Sequence, residues 1–130
     1  MIRLCLDTSA YSRLMRGKPT LQARLEAVDE LLLPVTMLGE LYAGFQGGNR
    51  LAENLSLLGN FRRQPGVVIV DTTDTIAQRY AAIVATLKLQ GTPIPTNDIW
   101  IAATALENGG HLVAYDAHFE AVPGLIVEAP

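Results

Sequence analysis

Cysteine is nearly missing from this 130-residue chain, with Cys5 as the lone example. One cysteine excludes an internal disulfide, and its place inside an apolar, strand-like run marks it as a buried structural thiol rather than a reactive one. Long hydrophobic runs are missing too. None approaches the roughly 20 residues needed to cross a bilayer, and the few apolar residues before Asp7 are too short for a signal-peptide core. A cytoplasmic protein with no membrane partner is therefore expected. Positive charge is also in short supply: ten Lys and Arg stand against thirteen Asp and Glu, a net charge of −3. That balance excludes a nucleic-acid binder working by bulk charge alone. It leaves room for a nuclease, because bound divalent ions bring positive charge to the reacting phosphate and a local basic patch can hold the strand. Charged residues make up only 18% of the chain against 49% hydrophobic, so disorder is excluded and a core-rich globular domain is left. The length suits one domain, residues 1–130.

Short apolar runs alternate with helical patterns along the chain. Ile2–Leu6 reads as a buried strand ending at Asp7, followed by a short helix over Ser9–Arg16 that stops near Gly17 and Pro19. A second helix is expected over Leu21–Glu30 and a second strand over Leu31–Thr36, where Pro34 points to irregularity or an edge position. Leu38, Leu41, Tyr42 and Phe45 fall at i, i+3, i+4 and i+7, one buried helical stripe, closed by Gly47 and Gly48. Helices are further expected over Arg50–Arg63, Thr73–Gln90 and Asp98–Glu107, with strands at Val67–Val70, Leu112–Tyr115 and Leu125–Val127. This alternation implies an α/β domain: a mainly parallel sheet of about four to five strands with helices on both faces. In such sheets ligands bind beyond the carboxyl ends of the strands.

Four acids fall at that edge or in the first turn of a helix leaving it. Asp7 ends the first strand, Glu40 follows the second, Asp98 opens the penultimate helix, and Asp116 ends the strand Leu112–Tyr115. Gathered carboxylates repel one another unless a cation intervenes, and hard divalent ions such as Mg²⁺ or Mn²⁺ prefer oxygen ligands. Such an ion activates a water and stabilises charge on a phosphate undergoing in-line displacement. Each acid also has a structural reading: Asp7 and Asp98 as helix caps, Glu40 as a solvated glutamate, Asp116 as a turn opener. Asp71 ends a strand as well and Asp74 follows it; both read as capping and dipole groups. Strand-end position alone does not separate Asp71 from the other four.

The surroundings of the acids do separate them. The segments LCLDTSAYSRL, VTMLGELYAGF, GTPIPTNDIWIAATALENG and HLVAYDAHFEAVPGLIV resemble, in order and over nearly the whole chain, VapC-type PIN-domain toxins. The third is the most specific, joining a proline-rich turn, Asn97-Asp98 and the small-residue helix IAATA. The resemblance implies a PIN-like fold and a Mg²⁺- or Mn²⁺-dependent endoribonuclease, the toxin of a type II toxin–antitoxin pair. By position, Asp7, Glu40 and Asp98 match the family's acidic triad and Asp116 its fourth acid. Thr8 and Ser9 would sit beside the site, and Asn97 could hydrogen-bond the metal shell or the phosphate. Ala114 departs from the Thr or Ser common two residues before the fourth acid, which removes a hydroxyl that would help to hold Asp116. A VapB-like antitoxin bound at the acidic cleft, a homodimer and a larger toxin–antitoxin assembly are implied as well.

The implied reaction is hydrolysis of a phosphodiester in single-stranded or looped RNA, leaving a 3′-hydroxyl and a 5′-phosphate. Arg13 and His118 are candidate substrate contacts, with Arg16, Lys18, Arg50, Arg62 and Arg63 as further candidates for the strand's backbone. His118 has the alternative of a structural hydrogen bond in a turn. His111 offers no partner and reads as surface, and Trp100 as packing or interface. The small residues Ala43, Gly44, Gly47 and Gly48 allow either close approach of a neighbour or simple helix termination. A receiver or haloacid-dehalogenase phosphatase fits less well. The latter wants a second aspartate where Ser9 stands, and the former a lysine where Tyr115-Asp116 stands. The non-enzymatic alternative is an inactive PIN scaffold that binds RNA or protein.

Overall fold

Leu4, Cys5 and Leu6 have no polar member to turn toward water, and in a strand alternate residues face opposite sides. All three are fully buried, so both faces of the sheet around them are covered. The computed structural model describes residues 1–130 and places this run, β1 (Arg3–Leu6), at the centre of a five-stranded sheet. The other elements are α1 (Thr8–Met15), α2 (Pro19–Glu26), β2 (Glu30–Pro34), α3 (Val35–Gln46), α4 (Leu51–Arg62), β3 (Val67–Val70), α5 (Asp74–Gln90), α6 (Thr96–Glu107), β4 (His111–Val113) and β5 (Val127–Glu128), with a 3-10 turn over Ala117–Ala121. The strand order is β3-β2-β1-β4-β5 and every pairing is parallel. Cys5 pairs with Leu32 on one side and Leu112 on the other. Burial also pushes its thiol far above the ordinary range, aided by the charge of Asp7, so Cys5 is inert packing.

The chain runs outward from β1 through β2 to β3, then returns past β1 to lay down β4 and β5. Connections therefore diverge between β1 and β4, and that divergence opens a crevice at the carboxyl ends of these two strands. The backbone N–H of Asp7 donates to the carbonyl of Val113 (3.2 Å), pinning the exit of β1 to the end of β4. Helix α6 passes through the core, with Ile99 and every residue from Ile101 to Ala105 buried. Its Trp100 ring stacks on Tyr80 of α5 at 3.9 Å and 13°, which makes it a packing residue. Thr73 caps α5 by accepting from the N–H of Ile76 (3.3 Å), and Gly91 ends it in the left-handed region at φ +70°, as a helix terminus of this kind favours.

Several boundaries differ from those expected. Proline at 34 points to an edge, yet β2 lies between β1 and β3. Pro34 is tolerated because it is the last residue of the strand and also the N-cap of α3, where its missing N–H breaks no ladder. Val35 and Thr36 are accordingly helical rather than extended. Helix α2 starts at Pro19, since proline suits the first helical position, and ends at Glu26. The strand expected to run to Tyr115 stops at Val113, leaving Asp116 three residues beyond it. The last strand is shifted to Val127–Glu128. His111 is not partnerless: its Nδ1 lies 2.9 Å from Glu128, which also pairs with Arg24 at 2.8 Å, tying β4, β5 and α2 together. No neighbouring element closes on Gly44, and Gly47 is simply the C-cap of α3. No helix is long and apolar enough to cross a membrane.

Two glycines should respond oppositely to alanine. Gly66 sits at φ +82° and a Cβ there would lie 2.8 Å from the carbonyl oxygen of Asp29, at the entry to the β2–β3 pairing. Gly66→Ala should lower the unfolding free energy by about 1–3 kcal/mol. Gly44 is helical with open space around it, so Gly44→Ala should raise it by about 0.5–1 kcal/mol. Urea denaturation of the two variants beside the parent checks both signs.

Candidate active site

Asp7 is the best-anchored of the four acids. It caps α1, its Oδ1 accepting from the N–H of Ala10 at 2.7 Å, and the hydroxyl of Ser9 donates to both its carboxylate oxygens at 3.0 and 2.9 Å. It is only 4% exposed. Burial raises its pKa to about 6, the two hydrogen bonds act against the rise, and the charges of Asp98 and Asp116 add to it. An aspartate with good donors is ordinarily held low; here desolvation and like charge win.

The third residue of α6 brings Asp98 to the same crevice. Its pKa is also raised, first by burial and then by Asp116 and Glu40, with the hydrogen bond from His118 opposing. Asp116 caps the 3-10 turn: its Oδ1 accepts from the N–H of His118 at 2.9 Å. The turn folds the His118 ring back so that Nδ1 lies 3.2 Å from Asp98 and 3.1 Å from Asp116. Ligand atoms of these three residues lie within 4.8 Å of one another. Glu40, from the middle of α3, is oriented by the hydroxyl of Thr8, which donates to its Oε1 at 2.9 Å.

Of the four acids expected from the sequence, Asp98 and Asp116 come together at ligand distance with His118. Asp7 feels the charges of both and Asp98 that of Glu40, with Ser9 and Thr8 as hydroxyl donors to Asp7 and Glu40. Asp71 does not join them. It follows β3, the edge strand, with β2 between it and β1, and Thr73 rather than Asp71 caps α5. Asn97 is exposed and donates to none of the acids. Arg13 lies at the rim, its guanidinium carbon 4.2 Å from the centroid of the Tyr115 ring. Arg62 and Arg63 bond to Tyr42 and Asn60, and Arg50 faces Glu53, so none of these three is directed at the acids. With alanine at 114, the N–H of His118 in the turn is the backbone donor to Asp116. The contact between Arg13 and Tyr115 was not legible in the sequence, because it spans 102 positions of chain.

A cavity of about 450 Å³ lies at the amino ends of β2 and β3 among Leu14, Leu25, Phe61 and Gly66 and contains none of these acids. Chemistry rather than volume marks the site. The close donor set is two carboxylates and one imidazole, from Asp98, Asp116 and His118, with Asp7 and Glu40 in electrostatic reach. Burial first and like charge second raise the carboxyls of Asp7 and Asp98. The set fits a divalent cation with a preference for oxygen ligands.

The profile of the PIN domain family matches residues 4–125. The chain belongs to the PIN domain family. Among similar proteins is Ribonuclease VapC1 of Haemophilus influenzae strain R2866, 28% identical over 115 residues that cover 85% of this chain and 84% of that protein. The fold of this PIN domain matches a chain in the crystal structure of VapBC2 from Rickettsia felis bound to a promoter DNA fragment. The TM-score is 0.88 at 23% identity, covering 98% of both chains. It also matches VapBC-1 from nontypeable Haemophilus influenzae, with a TM-score of 0.86 at 24% identity over 98% of this chain and 97% of that one. A five-stranded parallel sheet with six helices is thus shared with VapC-containing complexes.

The raised carboxyl of Asp7 fixes a direction for stability against pH in chelator. The folded carboxyl titrates near 6 and the ordinary value is 3.8, so the folded state holds the proton more tightly. The stabilisation is complete below about pH 4 and is lost as pH rises through about 6. Asn caps a helix as well as Asp does. Asp7→Asn should therefore be more stable than the parent above pH 7, by about 2–3 kcal/mol, with the gap closing toward pH 4. Denaturant midpoints across that range test it, and a gap independent of pH would refute the raised carboxyl.

Proposed function

We propose that this PIN domain is a divalent-metal-dependent endoribonuclease, the toxin of a toxin–antitoxin pair, working in the cytoplasm. The observation that carries the reading is the gathering of Asp98, Asp116 and His118 within ligand distance, with Glu40 in electrostatic reach of Asp98 and a buried Asp7 whose pKa is lifted to about 6. The relative named Ribonuclease VapC1 and the VapBC complexes of the same fold support it. A bound Mg²⁺ or Mn²⁺ would supply activation of a water and stabilisation of charge on the phosphate.

The protein's own part is positioning. Asp7, held from two sides by Ala10 and Ser9, is the fixed oxygen pair of the site. Asp98 and Asp116 supply facing carboxylates, and Glu40 a fourth, set by Thr8. His118 bridges Asp98 and Asp116 through one nitrogen and keeps the two side chains from swinging apart. A phosphodiester of single-stranded or looped RNA reaches these groups from the open side of the crevice, since Asp116 and His118 are exposed. Hydrolysis would leave a 3′-hydroxyl and a 5′-phosphate. No serine or cysteine nucleophile is placed to compete: Ser9 is committed to Asp7 and Cys5 is buried. A VapB-like antitoxin bringing a basic side chain would suit a cleft this acidic, and homodimerisation completes the assembly proposed by analogy with the VapBC complexes.

Replacing Asp98 by Asn should reduce cleavage of a labelled RNA by at least about 100-fold, because loss of a direct ligand exceeds the roughly 10–100-fold cost of an outer partner. Excess chelator should do the same to the parent, and circular dichroism should show both still folded. Full cleavage by Asp98→Asn, or in chelator, would sink the metal mechanism.

A further inference from the structure

The charged side chains outside the acid cluster divide unevenly. Of the ten Lys and Arg, Arg3, Arg24, Arg50 and Arg79 face carboxylates, and Arg62 and Arg63 donate to Tyr42 and Asn60. Arg13 and Lys18 donate no hydrogen bond to any protein group, yet both lie against one ring: Arg13 Cζ is 4.2 Å and Lys18 Nζ 5.5 Å from the centroid of Tyr115. Tyr115 immediately precedes Asp116, and its hydroxyl donates to the carbonyl of Pro130 at 2.8 Å. Arg13 stands six residues after Asp7 on α1. Two cations without anionic partners are thus held against the ring of the residue that precedes Asp116, and neither pairs with an acid.

We infer that Arg13 and Lys18, held on the Tyr115 ring, form the seat for a phosphate of the RNA strand next to the one that is cut. This rests on the ribonuclease reading above and deepens it by naming how the strand is held. Three physical points carry it. The acid cluster repels every phosphate that lacks a cation, so a strand crossing it needs positive charge just outside. Arginine stacked on an aromatic face keeps its planar fork of N–H donors directed outward, and that fork matches two phosphate oxygens. The remaining cations of the chain are paired or directed elsewhere, apart from Arg16 and Lys88, which touch no ring at the site. Tyr115 is then a positioning residue: it touches the guanidinium, not the substrate.

The test combines cleavage kinetics with binding of a fluorescent single-stranded oligoribonucleotide, followed by anisotropy with Ca²⁺ in place of Mg²⁺. Arg13→Ala should raise KM and Kd roughly tenfold while kcat stays within about twofold. The slope of log affinity against log salt should flatten by about 0.7, as one phosphate contact is lost on a single strand. Arg13→Lys should keep the parent's slope but bind more weakly, because the charge remains and the fork does not. Tyr115→Leu should behave like Arg13→Ala, and Tyr115→Phe, which keeps the ring, should restore most of the affinity. An unchanged KM and salt slope in Arg13→Ala would overturn the proposal. So would Tyr115→Phe as impaired as Tyr115→Leu, or variants that bind RNA normally and lose only a protein partner. If the parent cuts no RNA, the nuclease reading fails by itself, while the salt slopes still decide whether Arg13 seats a phosphate.

Discussion

Holding like-charged acids in one partly buried neighbourhood, with Asp7 and Asp98 drawn out of water beside Asp116 and Glu40, is the constraint around which the carboxyl edge of the sheet is built. In water four carboxylates would drift apart. Here Asp7 stays put because the backbone on either side of it is committed, through its N–H to Val113 and through its side chain to the first turn of α1. That commitment depends on β1 and β4 being neighbours, and their pairing depends on a central strand apolar on both faces. The core therefore does more than stabilise a fold: it forces together groups that would otherwise separate. The raised pKa of Asp7 records the burial that this placement imposes, with the charges of Asp98 and Asp116 adding to it.

The site has a stiff half and a soft half. Asp7 and Ser9 are locked between a buried strand and a helix start. Asp116 and His118 sit on an exposed 3-10 turn and hold mainly each other and Asp98. A stiff half fixes the reference position for the chemistry, whereas a soft one tolerates the rearrangement that accompanies ligand entry. The sequence hints at this division, since Asp7 follows an unbroken apolar run and Asp116 lies in a stretch of mixed polarity.

Local pattern carried most of the fold. Apolar runs marked five strands, 3.6-residue spacing marked the helices, and their alternation implied the parallel sheet. What pattern could not carry is strand order, which is a property of the assembled sheet. For that reason Asp71 was indistinguishable from Asp7 by position, until β3 proved to be an edge strand two places from β1. Pro34 misled because a proline signal reports an absent N–H without saying whether the strand continues past it. His111 and Tyr115 owe their partners, Glu128 and Arg13, to contacts across β4–β5 and between α1 and the segment after β4 that no spacing rule encodes. The choice of the four acids came from family motifs, and the crevice at the β1–β4 divergence supplies the physical reason they belong together.

The passage from β2 to α3 has no loop at all: Pro34 closes the strand and Val35 opens the helix. Glu40 is consequently geared to the sheet as a tooth is to its wheel. One residue inserted between Pro34 and Glu40 would turn that carboxylate by about 100° around the helix axis, away from Thr8 and the other acids, even with the fold intact. The turn between α5 and α6 has slack to absorb such a change, as a surface connection usually does. Length variation among descendants of this chain should therefore gather in the Gly91–Pro95 segment and be absent from the six residues that lead from Pro34 to Glu40.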